Sequence, residues 1–239
     1  MIKLGVNIDH IATLRNARGE NHPNIKKSAL YVEKNGADLI TIHPREDERH
    51  IKKKDVIEIK KIISIPLNLE MAPTKSMLKF AVKTKPKYAC IVPENRKEIT
   101  TEGGLNLKNK NLQPIVKKLK KNKIEVSLFI DPYISNIKLA KSLGADSIEI
   151  HTGRFAKFFK SKNKKLYNKE FIKIKKCSEL AEKYQLNVKL GHGLDYDSTK
   201  FLKKIKQASE YNIGHFIISE SIFFGIKNII KKFKKILNN

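Results

Sequence analysis

Eight apolar runs alternating with helical patterns along 239 residues predict a (β/α)8 TIM barrel, with residues 1–239 forming a single domain; the usual length of that fold is about 250 residues. The runs lie near residues 3–9, 38–44, 66–71, 88–94, 125–131, 147–153 and 187–193, with a less sharply bounded eighth at 210–218. In four of them the polar residues share one face: Asn7 with Asp9, Thr41 with His43, Asn68 with Glu70, and Ser147 with Glu149. The opposite face holds Val6 and Ile8, Ile40 and Ile42, Leu67 and Leu69, Ile148 and Ile150. Strand side chains alternate, so each segment has a wet face and an oily one. Helical crossovers make the sheet parallel, which sets the oily face against helices and leaves the polar face to line an enclosed space. The near-copies GADLITIH (36–43) and GADSIEIH (144–151) add a repeated β/α unit. A doubly wound open sheet would need fewer strands and a glycine loop after the first, where this chain has Asn7-Ile8-Asp9-His10.

Taken in order, the first strand leads into IDHIATLRNARG, whose Arg15 and Arg18 read as loop residues. Helical patterns then cover 25–36, closed by the C-cap signal Asn35-Gly36; 54–63; 74–85, entered through Pro73-Thr74; and 112–122. Others cover 134–143, stopped by Gly144, then 167–184, 197–207 and 221–237. A barrel of this kind places reactive groups at the C-terminal strand ends. Those ends read IDH, HPRED, LEM, PEN, ID, EIHTG and GHG, and every histidine except His22 falls at or just past one.

A formal charge of +26 would ordinarily point to nucleic acid or an anionic membrane. Of the 50 basic residues only Arg15, Arg18, Arg45, Arg49, Arg96 and Arg154 are arginine, and the lysines crowd helix surfaces such as 117–121 and 231–235. That distribution describes a solvated basic shell rather than a specific nucleic-acid surface. Arginine is kept where its planar fork matters. Cys90 and Cys177 offer neither a disulfide framework nor a cysteine metal motif. The start MIKLGVNIDH is too polar for a signal peptide, and no segment is apolar for long enough to span a bilayer, so a soluble cytoplasmic protein is expected.

His43, Glu70 and His192 end three different strands and can converge above the barrel axis. Imidazoles and a partly desolvated glutamate titrate near neutrality and can run several proton transfers on one substrate; polar filling of the barrel is the alternative. Glu149 shares their register and either stabilises a cationic intermediate or pairs with an arginine. A metal held by His43, His192, Glu70 and His151 lacks local ligand spacing, so acid/base chemistry without metal or cofactor is favoured. Arg45, Arg49 and His50 after the second strand, with Arg15 and Arg18 after the first, suit a phosphate or carboxylate. Salt bridges to Glu46, Asp47 or Glu48 are the alternative, most of all for Arg49. Gly191, Gly193 and Gly214 sit where barrels commonly bind a second phosphate through backbone N–H groups. TTEGG (100–104) is either a lid or a plain turn. A one-substrate phosphate-binding isomerase or aldolase, and a polyanion-binding protein, remain rivals at this level.

The motifs GVNIDHIATLRNARG, IHPREDERHI, NLEMA, VPENRKEITTEGGL, VSLFID, IEIHTG, GHGL and NIGH, in this order and spacing from about residue 3 to 226, resemble the pyridoxine 5′-phosphate synthase family. The resemblance implies a (β/α)8 barrel with extra helices, assembled as an octamer of dimers. It implies a cofactor-free condensation of 1-deoxy-D-xylulose 5-phosphate with 3-amino-2-oxopropyl phosphate, giving pyridoxine 5′-phosphate, inorganic phosphate and water. By the same resemblance His43 and Glu70 are proton acceptors, His192 is the proton donor and Glu149 the stabilising acid. Asn7, Arg18, Gly193, Gly214 and His215 would hold the amino-ketone phosphate; Asp9, His10, Arg45, His50 and Thr100 would hold the deoxyxylulose phosphate. NIGH shortens the eighth strand to about 210–214 and opens a helix near His215. The chain departs from the family at Ser219 and Glu220, where relatives carry a small residue and an arginine, and at Lys189, where a neutral polar residue is usual. Alternation places Lys189 opposite the face of His192, with no catalytic role.

Overall fold

Alternation sorts the side chains of a closed barrel in the computed structural model, which describes residues 1–94 and 103–239. The strands are β1 (Lys3–Asn7), β2 (Leu39–Ile42), β3 (Leu67–Met71), β4 (Tyr88–Ile91), β5 (Glu125–Ile130), β6 (Ser147–His151), β7 (Asn187–Gly191) and β8 (Ala208–Ile213). They pair in sequence order, all parallel, and β8 returns to β1 with Asn212 opposite Gly5. Around them run α1 (Asp9–Arg18), α2 (Ile25–Lys34), α3 (Lys53–Ile62), α4 (Lys75–Thr84), α5 (Leu112–Lys121) and α6 (Ile134–Ser142). The chain continues through α7 (Gly153–Lys160), α8 (Lys164–Lys183), α9 (Tyr196–Leu202), α10 (His215–Phe224) and α11 (Ile226–Asn238).

The oily strand faces (Val6, Ile40, Ile42, Leu69, Ile91, Leu128, Ile148, Leu190) join helix residues such as Val32, Val56, Ile59, Leu119 and Ile230 in one buried cluster, which is the core. The barrel interior is polar. Thr41, Asn68, Ser127, Ser147, Glu149, Lys189, Glu210 and Asn212 are all buried, relieved by a patch of Cys90, Val92 and Phe129. Buried polar groups need partners, and a belt of hydrogen bonds supplies many of them. Asn68 Nδ2 donates to Thr41 Oγ1 at 3.3 Å, and the Thr41 hydroxyl donates to Asn212 Oδ1 at 3.3 Å.

Caps fix the helix boundaries. Asn24 and Thr74 accept N–H bonds from Lys27 and Met77, starting α2 and α4, while Gly36 and Gly144 take positive φ just beyond α2 and α6. Three local expectations are corrected. The segment carrying Arg15 and Arg18 is a helix, α1, that buries Ile11, Ala12 and Arg15 and closes at Gly19 with φ 76°. The pattern over 221–237 is two helices broken at Gly225 with φ 73°, whereas β8 ends at Ile213 and α10 opens at His215 as the NIGH motif implies. Lys189 points into the barrel, paired in register with Glu149. The alternation argument failed because β7 ends at Gly191 and His192 turns back at φ 80°.

Candidate active site

The C-terminal ends of β1, β2, β3, β6, β7 and β8 converge on a cavity of about 510 Å³. It is lined by Asn7, Asp9, His10, His43, Arg45, His50, Glu70, Glu149, His192, Gly193, Gly214 and His215, so the two proposed anion sites and the acid/base groups share one space. Among the described residues, one predicted site residue is absent from it. Arg18 sits on α1 with its side chain 78% exposed and pairs with Glu20 at 3.4 Å, and Thr100 lies outside the described residues.

His43 stands between two carboxylates, with Nδ1 3.7 Å from Glu70 Oε2 and Nε2 3.4 Å from Glu94 Oε2. Its backbone N–H donates to Asp9 Oδ1 at 2.9 Å. Asp9 is oriented in turn by Asn7, whose Nδ2 donates to Asp9 Oδ2 and whose Oδ1 accepts from the Asp9 N–H, both at 2.9 Å. Burial pushes the Glu70 carboxyl well above the ordinary range, and the nearby charges of Glu149 and Asp9 add to it. Glu94 goes the other way, because the adjoining His43 imidazole, the hydrogen bond from the Glu46 N–H and the charge of Arg45 outweigh its burial. Two carboxylates on one imidazole are thus driven apart, the usual way a site separates its proton carriers.

Glu149 rises to about 7, chiefly through burial. His192 is pushed down to about 4, by burial first and then by the charge of His151. Its ring meets His151 edge-on at 4.9 Å, and His151 Nδ1 lies 3.1 Å from Asp131 Oδ1. The left-handed backbone of His192, costing about 1–3 kcal/mol in a non-glycine residue, is tied down by Thr152, whose Oγ1 lies 2.7 Å from both the Gly191 and His192 carbonyl oxygens. Gly193 follows at φ 77°, which favours glycine. Gly191 is required by close approach, since a Cβ there would lie 2.1 Å from Glu149 Oε1. Gly191→Ala is therefore expected to displace Glu149 and lower kcat by about 10²-fold, with the far-UV circular dichroism unchanged.

At the rim, His10 and His215 rings lie 4.9 Å apart. Burial, then His215 and His50, push His10 down to about 4; burial, then Arg45 and Arg49, lower His50. Burial first, and basic neighbours second, favour the neutral form of His10 and His50 beside Arg45, an arrangement that suits an anion. The other arginines divide. Arg15 is sequestered by Asp55, with Nη1 and Nη2 2.8 and 2.9 Å from the two carboxylate oxygens, and Arg49 binds Asp47 through Nε at 2.8 Å; Arg45 is buried in the wall of the cavity, its Nε 3.9 Å from Glu94 Oε1. Glu94, Asp131, Asn212 and Lys189 were not singled out as site residues from the sequence, although Glu94 and Asp131 belong to the strand-end words PEN and ID. Among the described residues no group of three or more His, Cys, Asp or Glu could hold a metal ion. A second cavity of about 640 Å³ lies beyond His192 and Gly193, lined by Arg154, Lys157, Lys160 and Lys173.

The profile of the family described as Pyridoxal phosphate biosynthesis protein PdxJ matches residues 4–239. A curated "Pyridoxine 5'-phosphate synthase" from Pelagibacter ubique is 52% identical over 240 residues, covering all of both chains. One from Zymomonas mobilis is 46% identical over 239 residues, covering 99% of this chain and 92% of its own. Among solved structures, N-(5'-phosphoribosyl)anthranilate isomerase from Pyrococcus furiosus superposes with a TM-score of 0.64 at 13% identity, covering both chains fully, which shows the shared barrel and no more.

Proposed function

This chain belongs to the PdxJ family of pyridoxal phosphate biosynthesis proteins, and we propose from that premise how its barrel makes pyridoxine 5′-phosphate. The protein is a pyridoxine 5′-phosphate synthase. In our reading its substrates are 1-deoxy-D-xylulose 5-phosphate and 3-amino-2-oxopropyl phosphate, its whole chain is one domain, and it works as a cytoplasmic homo-octamer. No helix among the described residues is long and apolar enough to cross a membrane. The observation that carries the reading is one cavity lined by His43, Glu70, Glu149 and His192 together with Arg45, His50, Gly193, Gly214 and His215.

The amine of one substrate attacks the ketone of the other, forming an imine with loss of water. Because the imine joins the two substrates, no protein lysine is needed as a carbonyl trap. Glu70 and His43 then take protons from carbon, one phosphate leaves, and a carbon–carbon bond followed by further loss of water closes the aromatic ring. Each step moves a proton, which explains a set of acid/base groups in place of one nucleophile. Glu149, as a carboxylate, offsets positive charge on the imine nitrogen. A neutral His192 keeps one N–H, and a substrate phosphate beside it favours its protonated, donating form. Asp9, His10, Arg45, His50 and Thr100 hold the substrate deoxyxylulose phosphate. Asn7, Gly193, Gly214 and His215 hold the amino-ketone phosphate; Arg18, which the resemblance assigns to the same substrate, faces solvent beside Glu20 in this structure. Holding both reactants in one cavity supplies the proximity effect.

Incubation with both phosphates is expected to yield inorganic phosphate and a pyridine chromophore in equal amounts, and neither when one substrate is omitted. Conversion of the sugar phosphate alone would favour a one-substrate isomerase or aldolase and overturn this reading. The pH dependence has a definite sign. Glu149 titrates near 7 and Glu70 is raised as well, and both act as carboxylates, so kcat is expected to rise with pH through the region near 7 and to fall below it. A kcat flat between pH 5 and 8 would contradict these roles.

A further inference from the structure

Beneath the reacting groups, the barrel interior holds a cluster that the proposed chemistry does not use. Lys189 on β7 is only 5% exposed. Its Nζ lies 3.1 Å from Glu210 Oε1 and 4.6 Å from the centroid of the Tyr88 ring. Asn212 Nδ2 donates to Glu149 Oε2 at 2.7 Å and to Glu210 Oε1 at 3.1 Å, so one amide bridges two buried carboxylates. The amide cannot turn over without loss, because its Oδ1 accepts from the Thr41 hydroxyl. We propose that Lys189 is a positioning residue for Glu149: clamped to Glu210 below Asn212, its fixed positive charge decides whether Glu149 stands in the cavity as a carboxylate or as an acid.

The charge inventory supports this. Glu149 is faced by Lys189 from β7, by Glu210 and Asn212 from β8 and by Cys90 from β4, whose Sγ lies 3.9 Å from Oε2. Glu70 on β3 adds a further acid, itself influenced by Asp9. Two carboxylates bridged by one amide in a low-dielectric interior hold a proton between them unless a cation offsets one charge. Among the described groups facing Glu149, Lys189 is the cation that does so. Burial works against the charge on Lys189, but Glu210, Cys90 and Glu149 outweigh it and keep the ammonium above its ordinary range. The opposing pulls on Glu149, burial and Glu210 upward, Lys189 and the bonds from Asn212 and Cys90 downward, leave it near 7, where a small change in charge alters its protonation.

The inference rests on the reading of Glu149 as the stabilising acid, so its test reads Glu149 apart from turnover. Infrared difference spectra of the full-length unliganded protein across pH report the protonated carboxyl, with the Glu149 band assigned by its loss in Glu149→Gln. Lys189→Met is expected to move the Glu149 midpoint up by about one pH unit, and Glu210→Gln to move it down by a similar amount. A residue that merely fills space would not produce shifts of opposite sign. Unmoved midpoints, or shifts in the same direction, would overturn the proposal. Should Lys189→Met fail to fold, Glu210→Gln decides alone: a downward shift supports the proposal and no shift overturns it. The acidic limb of kcat should follow the midpoint in each variant. Midpoints that move without that limb would leave Lys189 in control of Glu149 and overturn the role assigned to Glu149 in turnover.

Discussion

Glu70→Gln is expected to lower kcat by about 10²–10⁴-fold while the protein stays folded and melts at the wild-type temperature or above it. Glutamine keeps the shape of the side chain and removes its capacity to accept a proton, so the loss reports chemistry rather than packing. The direction of the stability change follows from the same burial that suits Glu70 to its role. The carboxyl is raised well above the ordinary range by burial and by the charges of Glu149 and Asp9, so the folded protein gains nothing from its ionised form, and a neutral isostere relieves that strain. A site that trades stability for reactivity behaves in this way. His43→Asn should give a comparable loss, and the double variant little more than either, because the imidazole at 3.7 Å and the carboxylate act as a unit. Steady-state kinetics beside thermal melts check all three; a Glu70→Gln enzyme within threefold of wild type would remove Glu70 from the chemistry.

Asp55→Ala is expected to cost about 3–5 kcal/mol of stability, on the order of 10 °C in Tm for a chain of this size. Asp55 and Arg15 form a buried, two-pronged pair between α1 and α3, and Asp55 Oδ2 also accepts the Lys52 N–H at 2.8 Å at the start of α3. Removing the acid strands a guanidinium in the protein and uncaps a helix at once. The consequence reaches the site. Arg15 donates to the His50 carbonyl at 3.3 Å, and the neighbouring Asn16 donates to the Arg49 and His50 carbonyls at 3.0 and 2.7 Å, so this pair anchors the loop carrying His50. Below its melting temperature the variant should show a higher KM for the sugar phosphate with a smaller change in kcat. Differential scanning calorimetry and substrate titration check both halves; an unchanged Tm would show that the pair contributes nothing net.

How far the sequence could be read depended on whether period-two alternation held. It held through β1, β2, β3 and β6, where Asn7, Thr41, Asn68 and Glu149 face inward, and those strands carry most of the residues that meet in the cavity. It stopped holding at Gly191, where the positive φ of His192 turns the next side chain inward as well and hides Lys189 from any argument by parity. Arg15 and Arg18 looked alike as guanidiniums after the first strand. One proved to be locked to a carboxylate 40 residues away and the other to face solvent, and only tertiary structure separates them. The apolar run through Phe216 to Ile218 hid the end of β8 from pattern alone, and only the NIGH motif marked it; Gly214 is required there because a Cβ would lie 2.8 Å from the Asn7 Cβ. Glu94 and Asp131 lay in strand-end words, but nothing local marks which imidazole each will meet.

The most direct test of the central claim, that one cavity brings two phosphates together over His43, Glu70 and His192, is a crystal structure with both substrates or unreactive analogues bound. The account predicts one phosphate beside Arg45 and His50, the other beside Gly193, Gly214 and His215, and the reacting carbons within proton-transfer reach of Glu70 and His43, about 3–3.5 Å. Both phosphates bound outside this cavity, or reacting carbons on the far side of it from Glu70, would contradict it.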